Sequence, residues 1–415
     1  MSDVSVAEPE TTPRPLPKGW QWVKLGDVCD VVSGSTPNTS VADYWNGDIP
    51  WVTPTDLGKL SKPVLLNTHR NITPEGLKSC SARIVPKGTV LMSSRAPIGH
   101  LAVAEIECCT NQGCKNFIPS QDVDSWYLYY ALKISVPKFQ ELGSGATFAE
   151  VSKTAVEAFK IPLPPLSEQK RIAGILNEQV AAIERARAAT EAQLEAAKAL
   201  PAAYLREVFD SEEAKKWPKK RLGDLSHRIS KGESPAWQGF DYLKEGVLFI
   251  RSENVRWGTF TKEPRICIPE EFHAKLSRSS VKENDVLVNL VGASIGRACV
   301  APTGIGNANV NQAVAVTTCT EALLPSYLVY YVIAPQTQRH FDDVQVEMAR
   351  PNISLENLRE LPIPLPSLQK QKRITNILNE QMQTANNVRR ALEEELDTIN
   401  KLPAALLRRA FNGEL

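Results

Sequence analysis

A chain of 415 residues with 48 basic and 47 acidic side chains has a net charge of only +1, so gross charge carries no signature of nucleic-acid binding. No apolar run approaches the ~20 residues needed to cross a bilayer, and the acidic, proline-rich start MSDVSVAEPETTPRPLPKG is unlike a secretory signal. These features predict a soluble, cytoplasmic protein with no membrane association, a disordered tail over residues 1–17, and room for at least two cores. Of the eight cysteines only Cys108, Cys109 and Cys114 cluster. They lack the C-x2-C spacing and neighbouring histidines of a zinc site, so they read as buried thiols and no metal is expected.

Taken in order, the chain repeats itself. GWQWVKLGDVCDVVSGSTP, a short apolar alternation closing in a Gly-Ser-Thr-Pro turn, has its counterpart in KKRLGDLSHRISKGESP, with Leu25 matching Leu222. IPWVTPTDL at 49–57 and LFIRSENV at 248–255 each predict a buried strand running into a polar loop. VPKGTVLMSSRAPIGHLAVAE at 85–105 and VKENDVLVNLVGASIGRACVA at 281–301 each predict a strand, a small-residue turn and a second strand, with Gly99 matching Gly296. Asn111-Gln112 matches Asn311-Gln312, and the aromatic helix WYLYYAL matches SYLVYYVI. Finally IPLPPLSEQKRIAGILNEQ (161–179) returns as IPLPSLQKQKRITNILNEQ (363–381), and LPAAYLREVFD (200–210) returns as LPAALLRRAFN (402–412). The displacement between copies varies between 196 and 202 residues through the globular parts and then stays at 202. Insertions are tolerated in the domains and not along the helical stretch.

That stretch opens with alternating prolines, which favour extended backbone and forbid a helix. Ser167 and Ser367 then occupy positions suited to an N-cap. A helix from about residue 167 to 209 would span on the order of 60 Å, with Pro201 and Pro403 expected to kink or break its last turns. Leu176, Val180, Ile183, Arg187, Thr190, Leu194 and Ala197 form a stripe with alternating steps of four and three. Leu378, Met382, Ala385, Arg389, Leu392, Leu396 and Ile399 form the same stripe in the second copy. Either helix alone would expose its seam, so the two are expected to pair within one chain. Their packing pattern is compatible with a parallel or an antiparallel pair, the latter centred near Arg187 and Arg389.

No catalytic residue is identified. The chain has no G-x-x-x-x-G-K-[ST], H-E-x-x-H or G-x-G-x-x-G motif, and no Asp or Asn followed by Pro-Pro-aromatic. The weight therefore moves to binding. Two similar domains on a rod of preserved length suit a ligand with its own repeat, and DNA is the obvious case. Arg and Lys read guanine, and Asn and Gln read adenine. The candidates are Thr36, Tyr44, Trp45, Arg95, Asn111 and Gln112 in the first half, and Lys231, Arg251, Asn254, Arg256, Arg297, Asn311 and Gln312 in the second. Any one of these also fits a solvated loop or a structural amide, and the duplicated Asn-Gln pairs also fit a turn-fixing role. GSGATFAE at 143–150 places small residues with free amides, Ser144 and Thr147 among them, which suit a phosphate contact. Lys215, Lys216, Lys219, Lys220 and Arg221 read as a hydrated basic hinge.

At KLGDVCDVVSGSTP, YWNGDIPWVTPTDL, the duplicated IPLPPLSEQKRIAGILNEQ and the terminal LLRRAFNGEL, the chain resembles the specificity subunit of type I restriction-modification systems over nearly its whole length. The resemblance implies a mixed α/β (α+β) multidomain fold with a pseudo-two-fold internal repeat. It comprises two globular target recognition domains, at 18–165 and 221–366, and two conserved helical regions, at 166–210 and 367–415, which form an intramolecular antiparallel coiled coil. Residues 211–220 make the linker. Each domain would read one half of a bipartite site in double-stranded DNA. The helices would set the spacer and dock two modification subunits carrying S-adenosylmethionine for adenine methylation, with restriction subunits joining for cleavage. The competing readings are a protein-interaction scaffold and an enzyme with a divergent site.

Overall fold

The computed structural model describes residues 16–143, 150–345 and 352–415. Of the expected disordered tail, residues 1–15 lie outside this range. The chain divides into two compact units: residues 1–190 with 395–415, and residues 191–394. Each is a mixed α/β assembly, and each draws on both ends of the helical repeat.

In unit 1 a five-stranded sheet runs in the order Cys29–Ser33, Cys114–Pro119, Val90–Ser93, Leu101–Ala104, Val64–Leu65. A three-stranded sheet runs Arg70–Ile72, Trp45–Val52, Cys109–Thr110. The unit 2 sheets are Ser226–Lys231, Val314–Cys319, Val286–Asn289, Ala298–Val300 and then Cys267–Ile268, Val247–Ile250, Ala308–Val310. VLMS at 90–93 and LAVA at 101–104 are buried along their whole length, as continuous apolar runs in a covered sheet should be. The predicted aromatic helices are Ser125–Gly143 and Pro325–Val332.

The long helices are Leu166–Phe209 and Leu368–Phe411, 44 residues each and about 66 Å long at ~1.5 Å per residue. Their starts and ends are both displaced by the 202 residues seen in the repeat. Pro201 and Pro403 lie inside the assigned helices and do not end them. The turns beyond each proline are held by core contacts: Leu205 and Phe209 are buried in unit 2, and Leu406, Leu407, Ala410 and Phe411 in unit 1. Tertiary burial outweighs the local cost of a helical proline. The N-cap expectation holds at Ser367, whose hydroxyl accepts from the Lys370 N–H at 3.4 Å. It fails at Ser167, which lies one residue inside the helix. The position matching Ser367 is Pro165, whose carbonyl accepts from the N–H groups of Glu168 and Gln169.

Helix direction follows from what shares a core. In unit 1 the first turns of the first long helix (Ile172, Ala173, Leu176) join the last turns of the second (Leu406, Leu407, Ala410, Phe411). In unit 2 the last turns of the first (Leu205, Phe209) join the first turns of the second (Ile374, Leu378). The pair is antiparallel. Along the stripes Leu176, Leu194, Leu378 and Ile399 are buried, while Val180, Ile183, Met382, Leu392 and Leu396 are half-buried.

One joint, built twice, fixes each domain to its helix. Gln169 is fully buried; its Oε1 accepts from the Asp124 N–H, and its Nε2 donates to the carbonyls of Asp122 and Pro164. Gln371 does the same with Leu324, Ala322 and Pro366. The Tyr127 hydroxyl donates to the Pro162 carbonyl and that of Tyr327 to the Pro364 carbonyl, each at 2.7 Å. The Tyr130 hydroxyl meets Asn177 Oδ1 at 2.8 Å and that of Tyr330 meets Asn379 Oδ1 at 2.6 Å. Phe411 then packs on Tyr127, and Phe209 on Tyr327.

The basic hinge expected at 211–220 is largely structured. Lys219–Arg221 forms a strand antiparallel to Pro362–Pro364, as Gln21–Lys24 does with Lys160–Leu163 in unit 1. Lys215 pairs with Glu212, and Arg221 with Asp224 and Glu360. Lysines at the edge of a two-stranded ribbon leave their side chains in water while the backbone is paired, and a count of charges along the chain cannot distinguish this from a loop.

Candidate nucleic-acid interface

Three strands of unit 1 terminate together, with Ser33 opposite Lys115, Ser93 opposite Cys114 and Val52 opposite Thr110. Asn111 follows directly. Its N–H donates to the Val52 carbonyl (2.8 Å), and its Oδ1 accepts from the Gly113 N–H (3.0 Å), so its side chain closes the turn. Thr36 comes in on the loop after Ser33, and its hydroxyl donates to Gln112 Oε1. The loop can press this close because residue 34 is glycine: a Cβ there would sit 2.0 Å from the Asn111 carbonyl oxygen. Arg95 leaves the end of Val90–Ser93 just after Ser94, whose N–H donates to the Gly113 carbonyl at 2.7 Å. Thr36, Arg95, Asn111 and Gln112 therefore occupy one rim at the strand ends.

Unit 2 builds the same rim. Lys231 lies opposite Ala315, Asn289 opposite Val314 and Ile250 opposite Val310. The Asn311 N–H donates to the Ile250 carbonyl (2.9 Å), and its Oδ1 accepts from the Ala313 N–H (3.0 Å). Gly232 takes the place of Gly34, with a Cβ there only 1.6 Å from the Val310 carbonyl oxygen. Lys231, Arg251, Arg297, Asn311 and Gln312 gather here. Arg251 pairs with Glu253 at 3.0 Å. The Nε atoms of Arg251 and Arg297 are buried without a hydrogen-bond partner among the described residues. Arg256 is exposed on the loop bridged by Val255 and Phe260.

Other candidates lie elsewhere. Asn254 is fully buried: its Oδ1 accepts from the Arg251 N–H and its Nδ2 donates to the carbonyls of Thr261 and Pro264, so it closes a loop instead of facing a ligand. Trp45 is 9% exposed, packs edge-on against Trp51 at 5.1 Å, and its indole N–H donates to the Asn38 carbonyl. Tyr44 is half-buried against the same cluster. In a short loop, polar and aromatic residues serve such internal roles as readily as recognition, and residue type alone does not separate the two. Ser144 and Thr147 lie outside the described residues.

Sequence reasoning passed over three groups. Arg70, exposed, lays its guanidinium over the Trp45 ring at 3.9 Å. Lys115 is only 5% exposed. Trp237 and Trp257 are exposed on unit 2 loops. The available signal was a lysine inside the buried strand CKNFIP, whose copy has Ala315 at that place. Cys108, Cys109 and Cys114 are buried, and burial pushes each thiol up to about 12. Among the described residues no helix is long and apolar enough to cross a membrane.

The family described as type I restriction modification DNA specificity domain matches residues 17–196 and again 214–397. The chain belongs to this family. Two specificity domains thus make the internal repeat, each match running from a globular domain onto a long helix. The chain is 34% identical over 261 residues to the type I restriction enzyme MjaIX specificity subunit of Methanocaldococcus jannaschii, which is 59% of this chain and 60% of that relative. In fold it is similar to a chain from a structure on complex assembly and conformational transition of the type I R-M system (TM-score 0.74, 22% identity, covering 97% of this chain and 100% of that one). It is likewise similar to the HsdS subunit of Thermoanaerobacter tengcongensis (TM-score 0.68, 23% identity, covering 97% and 99%).

Proposed function

We propose that this chain is the DNA-sequence specificity subunit of a type I restriction-modification complex, each of its two domains reading one half of a bipartite site in double-stranded DNA. The observation that carries the reading is the double match to a specificity domain in a chain whose two units each gather Arg, Asn and Gln side chains at the ends of the same strands. Base-edge readout needs such groups on a rigid frame. The Asn111 and Asn311 turns supply the frame, while Gln112, Gln312 and the arginines supply donors and acceptors beside it.

On this reading the subunit itself performs no chemistry. It recruits two modification subunits, which bring S-adenosylmethionine and methylate adenine at N6, and restriction subunits that cleave with ATP. The helix pair holds these partners and sets the spacer between half-sites, and the assembly works in the cytoplasm on DNA. The test is a band-shift and methylation-protection assay with the purified chain and its modification partner on a randomised DNA library. Enrichment of a bipartite sequence, with log affinity falling linearly in log salt, is expected; no sequence preference would refute it. Exchanging residues 18–160 for those of another specificity subunit should move one half-site and leave the other.

A further inference from the structure

Behind the rim of unit 1 lies a charged cluster that unit 2 lacks. Glu150 Oε1 stands 3.3 Å from the ammonium of Lys115, and Glu150 Oε2 stands 3.7 Å from the Arg95 guanidinium. The Ser94 hydroxyl meets both Lys115 Nζ and Glu150 Oε1, each at 3.3 Å. Lys115 is 5% exposed, whereas the Arg95 side chain is 38% exposed at the rim.

The backbone around this cluster is built identically in the two units. Ser94 N–H to Gly113 carbonyl in one is Leu290 N–H to Ala313 carbonyl in the other, and Val151 N–H to Ser94 carbonyl is Ile353 N–H to Leu290 carbonyl. The bridge Arg95 to Glu150 is the bridge Val291 to Asn352. Even the left-handed residue that follows is shared, Ala96 (φ 53) against Gly292 (φ 72). At these matched places Ser94, Arg95, Lys115 and Glu150 face Leu290, Val291, Ala315 and Asn352. The fold therefore makes this joint without any of the charges. Burying an ammonium costs free energy even when it is paired, so the lysine is not explained by the stability of the scaffold. Two members reach the surface, Arg95 (38% exposed) and the Glu150 carboxylate that it faces (35% exposed).

We infer that Glu150, anchored by Lys115, is a positioning residue that aims Arg95 at a base edge, so that the half-site read by unit 1 contains a guanine read from a position that unit 2 fills with Val291. Arginine meets guanine O6 and N7 through a planar fork whose orientation must be held, and a carboxylate on its inner side holds it. This rests on the DNA-reading function proposed above.

The experiment uses the full chain with its modification partner and measures relative affinity at every position of both half-sites. R95K keeps the charge and loses the fork; E150Q keeps the shape and loses the carboxylate. The combined S94L, R95V, K115A and E150N variant installs the set with which unit 2 already folds. Each should relax preference at one base pair of a single half-site, by about 5- to 150-fold for R95K and the combined variant, with the other half-site unchanged. E150Q should give a smaller loss at that same base pair. Unchanged preferences in R95K, a uniform loss across all sequences as for a phosphate contact, or an E150Q effect spread over many positions would overturn the inference. A wild-type chain without any sequence preference would instead overturn the function on which it rests.

Discussion

Replacing Gln169 by alanine tests the domain-to-helix joint. The side chain is fully buried and makes three hydrogen bonds, so the substitution leaves the Asp124 N–H and the carbonyls of Asp122 and Pro164 without partners. Asp122 is exposed and its carbonyl can turn to water, whereas Pro164 is buried and Asp124 half-buried. Two orphaned groups at ~1–3 kcal/mol each, less than fully additive, give about 2–4 kcal/mol of local destabilisation. Amide hydrogen exchange of the intact chain reads this by segment. Amides at the start of Ser125–Gly143 should exchange about 30- to 900-fold faster, with those around Leu324 in unit 2 unchanged, and Gln371→Ala should give the reverse pattern. If Q169A leaves the exchange near Asp124 within about threefold of wild type, the joint does not depend on this amide and the reasoning fails.

Phe411→Ala removes the ring packed on Tyr127 and should destabilise unit 1 by about 3–5 kcal/mol; calorimetry of the full chain should show the lower-melting transition assigned to unit 1 by exchange. Deleting one heptad from the middle of both long helices, around Arg187 and Arg389, should change the length of the DNA spacer and leave both half-site sequences as they were, which selection on a randomised library reads directly. Burial raises the thiols of Cys29, Cys108, Cys109 and Cys114 from 9.0 to about 12. The folded state therefore holds these protons more tightly than the unfolded one, and their contribution is complete below pH ~9 and lost as pH rises from there toward 12. Melting temperature should fall over that window, and alkylation at pH 8, followed by mass spectrometry, should reach the half-buried Cys80 before any of these four.

Part of the architecture was legible because it is written as repetition. A displacement of 202 residues kept from residue 161 to 210 reports an element whose length is under constraint, and both helices indeed begin and end 202 residues apart. The matched Asn-Gln pairs marked the turn around which each rim is built, since a side chain that caps its own turn leaves a local signal. What local pattern did not separate was an asparagine that closes a loop internally from one at a surface, as Asn254 illustrates, or a tryptophan in a core from one offered to a ligand, as Trp45 illustrates. Asn254 depends on partners up to ten residues away in sequence, and Trp45 on Arg70 and Ile72, 25 and 27 residues away.

The sequence by itself determined the duplication, the length and stripe of the two helices and the residue types at the strand ends, because each is a property of spacing along one chain. Only the tertiary structure decided that the helices run antiparallel, that their turns continue past Pro201 and Pro403, and that Lys115 is buried against Glu150 behind Arg95. Those facts are set by contacts between segments tens to hundreds of residues apart, where the free energy of burying apolar surface and pairing buried polar groups overrides local preference.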